Sequence, residues 1–178
     1  KNNTITASNL EYDKIKNIFN AKINVKVVDF EKDTVIFSDK ITYLKNNEKI
    51  FTTGKTKALI EKKYTFDSEN VYYLRDIGEL SSKNKSTVKD DDENIYKLNS
   101  FIYEINNQLL KGQNVDVISK FEKDKTDQFH FSEGFFNFKD KSYIAKKTKI
   151  KIHKDVFDNK EQDPRVYGSS SFSNENKT

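Results

Sequence analysis

The sequence contains no cysteine, no methionine and no tryptophan. Without thiols there is no disulfide scaffold, zinc ribbon or thiol nucleophile, although the compartment stays open because exported proteins also lack cysteine. With Lys1 first and no methionine after it, the chain reads as a piece whose natural start, with any signal peptide, lies outside it. Arginine is scarce too, since only Arg75 and Arg165 occur among 32 basic residues. Nucleic-acid recognition favours the planar arginine fork, and the lysines are interleaved with 28 acids rather than gathered in a stripe. The net charge of +4 therefore does not make nucleic acid a partner. No run approaches the roughly 20 apolar residues of a membrane-spanning helix. One proline and five glycines leave helices possible, so periodicity has to decide.

What is abundant is aromatic: 14 Phe and 9 Tyr, too many for a solvated tail despite 34% charged residues. Apolar and polar residues alternate in Ile23 to Val27, Ile41 to Tyr43, Tyr103 to Ile105, Val115 to Val117, Phe129 to Phe131, Phe136 to Phe138 and Ile150 to Ile152. That is the two-residue period of strands. Polar clusters at Lys45 to Glu48, Ile105 to Gln108 and Lys139 to Ser142 read as hairpin turns. A helix over Asn9 to Asn20 is the weaker reading of that segment.

The strands repeat. Phe37 to Ile41, Phe66 to Val71, Leu98 to Ile102 and Phe131 to Phe135 share an apolar residue, a small or acidic polar pair and an apolar run, about thirty residues apart. Gly54, Gly112 and Ala145 follow a second recurring apolar pair, where a strand must bend or two backbones approach closely. Stacked folded-over hairpins of this kind make a long two-walled sheet with an apolar seam inside. Ser81 to Asn94 and Lys120 to Gln128 break the pattern and read as long turns at one rim, and the tail from Ser169 to Thr178 as mobile.

Enzyme signatures are missing: no glycine-rich phosphate loop, no strand-elbow serine, no helical metal pair. Neither a catalytic residue, nor a metal, nor a cofactor is expected. His130 and His153 read as surface imidazoles on strands. Asp90 to Glu93 and Asp158 to Asp163 lack the ligand spacing and glycine of an EF-hand loop, and Glu31 with Asp33 sits in a turn rather than forming a glycosidase dyad. The apolar set Val25, Val27, Phe37, Ile41, Tyr43, Phe66, Val71, Tyr73, Phe101, Phe131, Phe136 and Phe138 has two readings, core alone or the lining of a ligand groove.

The repeat resembles the OstA-like repeat of the lipopolysaccharide-transport proteins, a folded β-jellyroll (β-taco) of stacked antiparallel hairpins shared by LptA, LptC and the N-terminal domain of LptD. Val35 to Tyr43 with Ile50 to Gly54, Phe101 to Ile105 with Leu109 to Val117, and Phe135 to Phe138 with Tyr143 to Lys147 carry the resemblance. It covers residues 18–152, after an N-terminal extension or first edge strand at residues 1–17. Ile150 to Asn159 followed by Asp163 to Gly168 is similar to the stretch by which LptD family members leave the jellyroll for an outer-membrane barrel, which marks residues 153–178 as an exit segment and favours the LptD family.

The resemblance implies a non-enzymatic, all-β, periplasmic domain of an outer-membrane protein. It would hold the lipid A acyl chains of lipopolysaccharide against those apolar residues and pass the molecule from the transport bridge to the translocon. It also implies partners: an LptA-like bridge protein adding a strand along Ile23, Val25 and Val27, the protein's own C-terminal barrel, and an LptE-like lipoprotein. Two alternatives stay open. One is a bridge component of the LptA or LptC kind; the other is a carbohydrate-binding or adhesin β-structure, which expects Tyr43, Tyr73 and Phe136 to face outward.

Overall fold

The computed structural model describes residues 3–122, 125–157 and 164–174. In chain order the strands are β1 (Asn3–Thr6), β2 (Asn9–Asp13), β3 (Ile18–Asp29), β4 (Thr34–Leu44), β5 (Lys49–Ile60), β6 (Tyr64–Glu69), β7 (Tyr72–Leu74) and β8 (Glu79–Ser82). They continue as β9 (Ser86–Lys89), β10 (Ile95–Leu98), β11 (Ser100–Glu104), β12 (Leu109–Glu122), β13 (Lys125–Asn137), β14 (Ser142–Lys151) and β15 (Arg165–Ser173). Between them, Lys45–Asn47 and Lys154–Phe157 form 3-10 turns, and no α-helix occurs among the described residues.

All fifteen strands join one antiparallel sheet that is folded over on itself. The long strands bend midway and serve both walls: residues 26–29 of β3 pair β1 while residues 18–22 pair β2. Likewise β5 pairs β6 through residues 55–60 and β7 through residues 49–51. β12 pairs β11 and β10 in the same split manner, so the pairing path closes through β5 and β12. The short pairs β1–β2, β6–β7, β8–β9 and β10–β11 are halves of equally bent strands. The chain is thus a meander of bent hairpins, an all-β folded jellyroll.

The crease runs through residues whose backbones are left-handed: Ile23, Asn24, Gly54, Asn70, Asn114 and Lys147. Of the three small residues flagged by the sequence, Gly54 alone makes a bend (φ 82°). Gly112 instead leaves room for side chains, since a Cβ there would stand 2.7 Å from Leu98 and 2.9 Å from Val115. Ile23 is a β-branched residue at φ 66°, a conformation such residues resist. Its side chain is exposed, so Ile23→Gly removes strain without opening the core. We expect the substitution to raise stability by about 0.5–1 kcal/mol after the extra unfolded-state entropy of glycine. Equilibrium urea denaturation checks this; an unchanged or lower midpoint would contradict it.

Register turns the alternation into two facing ladders. On the wall that contains β1, the inward residues in register are Ile5, Val27, Ile36, Ala58, Phe66 and Val88. They continue as Tyr96, Val117, Phe129, Ile150 and Val166. On the wall that contains β2, the ladder is Tyr12, Phe19, Tyr43, Ile50 and Tyr73, then Leu80, Tyr103, Leu110, Phe136 and Tyr143. Near the crease the inward residues turn polar and satisfy one another: Ser68 and Ser86 hydroxyls lie 2.8 Å apart, and Thr56 donates to Thr52 at 2.6 Å.

Several sequence expectations are corrected. Ser81 to Asn94 is not one long turn, because β9 lies within it and Val88 is fully buried. Lys120 to Gln128 is mostly strand, continuing β12 and β13 into a long hairpin. Ser170 to Ser173, expected to be mobile, pair with β14, whereas Asn9 to Asn20 is strand and turn, the favoured of its two readings. The sheet therefore runs past both residue 18 and residue 152, with β1 and β2 before it and β15 after it. The acidic run from Asp158 to Asp163 and the last four residues lie outside the described residues.

Candidate functional site

The interior between the ladders is the candidate site. Of the twelve apolar residues expected to line it, ten are buried within it: Val25, Val27, Ile41, Phe66, Val71, Tyr73, Phe101, Phe131, Phe136 and Phe138. Tyr43 is half-buried and packs against the same core. Phe37 is the exception, 43% exposed on the outer face, where Lys26 Nζ lies 5.7 Å from its ring centre. A bulge between Ser38 and Lys40 explains this, because it shifts the phase of β4: Ile36 and Ser38 face in before the bulge, Ile41 and Tyr43 after it. The expected partner edge is also displaced. Ile23, Val25 and Val27 lie in β3, which is covered by β1 and β2 on one side and β4 on the other. Among the described residues, the outermost strands of the sheet are β1 with β2 at one end and β15 at the other.

The seam is tight in the middle and loosens at both ends. Ile60, Leu80, Val88, Tyr103 and Leu110 have no exposed surface, whereas Tyr12 and Val166, the end rungs of the two ladders, are 38% and 47% exposed. Toward β15 the walls part around a cavity of about 300 Å³. Its floor is aromatic, formed by Tyr96, Phe129, Phe131, Phe136, Phe138 and Tyr143, and its rim is mostly acidic, with Asp90, Asp91, Asp92 and Asp127 beside the one cation Lys141. The volume sits at the lower end of ligand clefts. The rings touch edge to face or tilted, with centroids 5.2 Å apart for Tyr96 and Phe136 and 5.3 Å for Phe131 and Tyr143. The Tyr103 hydroxyl, beside Phe138, is buried with no partner among the described residues.

Across the crease from the bends, the two walls meet at a mouth fastened by polar contacts. Arg75, after β7, donates from Nε to Asp29 Oδ2 at 2.8 Å and from Nη2 to Glu31 Oε2 at 2.7 Å, both on the opposite wall. Nη1 donates to Glu48 Oε2 at 3.2 Å, and the Tyr73 hydroxyl to Asp29 Oδ2 at 2.9 Å. Asp29 Oδ1 also accepts from the backbone of Glu31 and Lys32, so this buried carboxylate is fully paired. Farther along, Lys32 Nζ donates to Asn106 Oδ1 and Gln108 Nε2 to Glu61 Oε2. Sequence reasoning missed this latch. Its one signal was an arginine in a lysine-rich chain, since the guanidinium fork suits a buried multidentate site better than an ammonium does.

Burial dominates the titration of the interior phenols. Tyr43 is pushed up to about 12, first by burial and then by its hydrogen bond to Glu48. Tyr64 rises to about 12 through burial and then the nearby Asp91 and Glu61. Tyr73, Tyr96 and Tyr103 are raised by burial as well. Burial also raises Asp90, although Asn94 and Tyr96 hydrogen-bond to its carboxylate and pull the other way. Because the folded values lie above the ordinary 10.0, the phenols' stabilisation is complete below pH 10 and is lost as pH climbs toward 12. We expect the urea midpoint to fall steeply between those values, with phenolate absorbance of these rings appearing only on unfolding. Their ionisation near pH 10 in intact protein would contradict it.

Among the described residues no group of three or more His, Cys, Asp or Glu side chains converges as for a metal ion. His130 faces outward, its Nδ1 2.7 Å from Asp116 Oδ1. Glu31 is committed to Arg75. No protein-family model matches the chain, and no curated protein matches it.

Proposed function

We propose that this domain binds the acyl chains of an amphiphile between its walls and passes it along the seam. In the setting the resemblance implies, this is lipopolysaccharide transport in the periplasm, without covalent chemistry. The observation that carries the reading is the pair of in-register apolar ladders, from β1 to β15 on one wall and from β2 to β14 on the other, that part around an aromatic cavity. Burying acyl chain stabilises by about 25 cal/mol per Å², and a seam of like rungs lets that stabilisation persist from step to step. The outermost strands β1–β2 and β15 suit strand addition by a bridge protein, the partner that the resemblance implies.

The test is photo-crosslinking in growing cells with a reactive residue at Phe131, Phe136 or Tyr143, and at outward Phe37 as control. Capture of lipopolysaccharide at the inward sites alone is expected; equal capture at all, or none, overturns the reading. The carbohydrate-binding alternative loses its own expectation, since Tyr73 and Phe136 are buried and Tyr43 packs inward. It is favoured by one observation, an outward row of Tyr72, Ile102, Phe135, Ile144 and Phe172 on the wall of β2. Glycan binding abolished by Tyr72→Ala would support it.

A further inference from the structure

The mouth of the groove is fastened unequally along its length. At the β3 end, Arg75 and Asp29 are buried, with side chains 8% and 1% exposed. Midway, Gln108 bridges the mouth to Glu61 and also receives the Tyr64 hydroxyl at 3.3 Å. Over the 300 Å³ cavity the contact across the mouth is Lys141 Nζ to Asp92 Oδ2, 2.7 Å, with side chains 54% and 49% exposed. Two solvated, flexible side chains hold each other far more weakly than a buried, multiply bonded pair.

The rim acids are not equivalent. Asp90 is buried and occupied: it accepts the backbone N–H groups of Asp92 and Asn94, the Asn94 amide and the Tyr96 hydroxyl. It shapes the turn at residues 90–94. Asp92 instead reaches across to Lys141, which sits at the tip of the β13–β14 hairpin. The weakest of these fastenings therefore lies over the aromatic cavity.

We propose that the Asp92–Lys141 pair is a side gate to the cavity, through which the acyl tail of an amphiphile loads. When the solvated pair parts, the acyl tail enters among Phe129, Phe136 and Tyr143 while the head group stays in solvent outside the acidic rim. Arg75 keeps the opposite end shut meanwhile. This rests on the acyl-binding reading above and adds where the ligand passes.

The experiment exploits the absence of cysteine. Asp92→Cys/Lys141→Cys is joined by a short thiol crosslinker with a cleavable bond, and uptake of a fluorescent fatty acid and of its neutral alcohol analogue is timed by stopped flow. The joined protein should load the fatty acid at least tenfold more slowly, with the rate restored on cleavage. Equal rates before and after cleavage overturn the gate. Separately, Asp92→Asn and Lys141→Gln should each speed loading of the neutral alcohol severalfold by unfastening the pair; unchanged or slower loading in both variants overturns the gate. Failure of the unmodified chain to take up either probe would sink the acyl-binding reading itself, and the gate with it.

Discussion

Replacing Arg75 with methionine should destabilise the protein by about 3–5 kcal/mol, the usual cost of stranding a buried charge. The stranded group is Asp29, 1% exposed, whose Oδ2 accepts from both Arg75 and Tyr73. Arg75 also spans three separate turns, so its loss frees the walls at the mouth as well as unpairing a carboxylate. Arg75→Lys should fall between wild type and methionine, because an ammonium cannot reproduce the fork that serves three acids. The double variant Arg75→Met/Asp29→Asn should recover part of the loss, since the uncompensated charge is then gone. Urea denaturation of the four proteins decides it: a loss under about 1 kcal/mol for methionine would place this cluster with ordinary surface pairs.

The second large effect comes from one residue type on opposite faces. Phe66 is buried, in register with Ala58 and Val88, with the rings of Phe101 and Tyr103 at 5.3 and 4.8 Å. Phe66→Ala should cost about 3–5 kcal/mol, the lost transfer of the ring plus the void left in a rung that cannot collapse. For a chain of this size that is a fall in Tm of roughly 6–20 °C. Phe37→Ala, on the outer face, should change stability by no more than about 0.5 kcal/mol. Calorimetry of the two variants side by side checks both. Similar losses would mean that β4 is out of phase with the register described.

Strand alternation was legible along most of the chain, and with it the two-walled sheet, because period two survives wherever one face is buried. What the sequence did not disclose was phase. The bulge at Ser38 and Lys40 adds a residue that no composition marks, and it alone turns Phe37 outward. Serine-rich strands were misjudged for a related reason. Ser82 and Ser86 look like loop residues, yet they line the crease, where facing hydroxyls bond one another or nearby backbone carbonyls. The latch was illegible because Asp29, Glu48 and Arg75 are distant in sequence and meet only when the walls close. The cavity was half legible: Phe131, Phe136 and Phe138 were marked, but Phe129, Tyr143 and the ionic rim were not.

The meander has a consequence for how the molecule comes into being and how it varies. Each bent strand pairs with the one made just before it, so pairing links neighbouring repeats and the stack can propagate from either end. Hairpins can be added to or removed from such a stack without rewiring the remainder. Every extra hairpin lengthens the lane by about 9–10 Å, two strand spacings, so in this architecture distance is set by counting repeats.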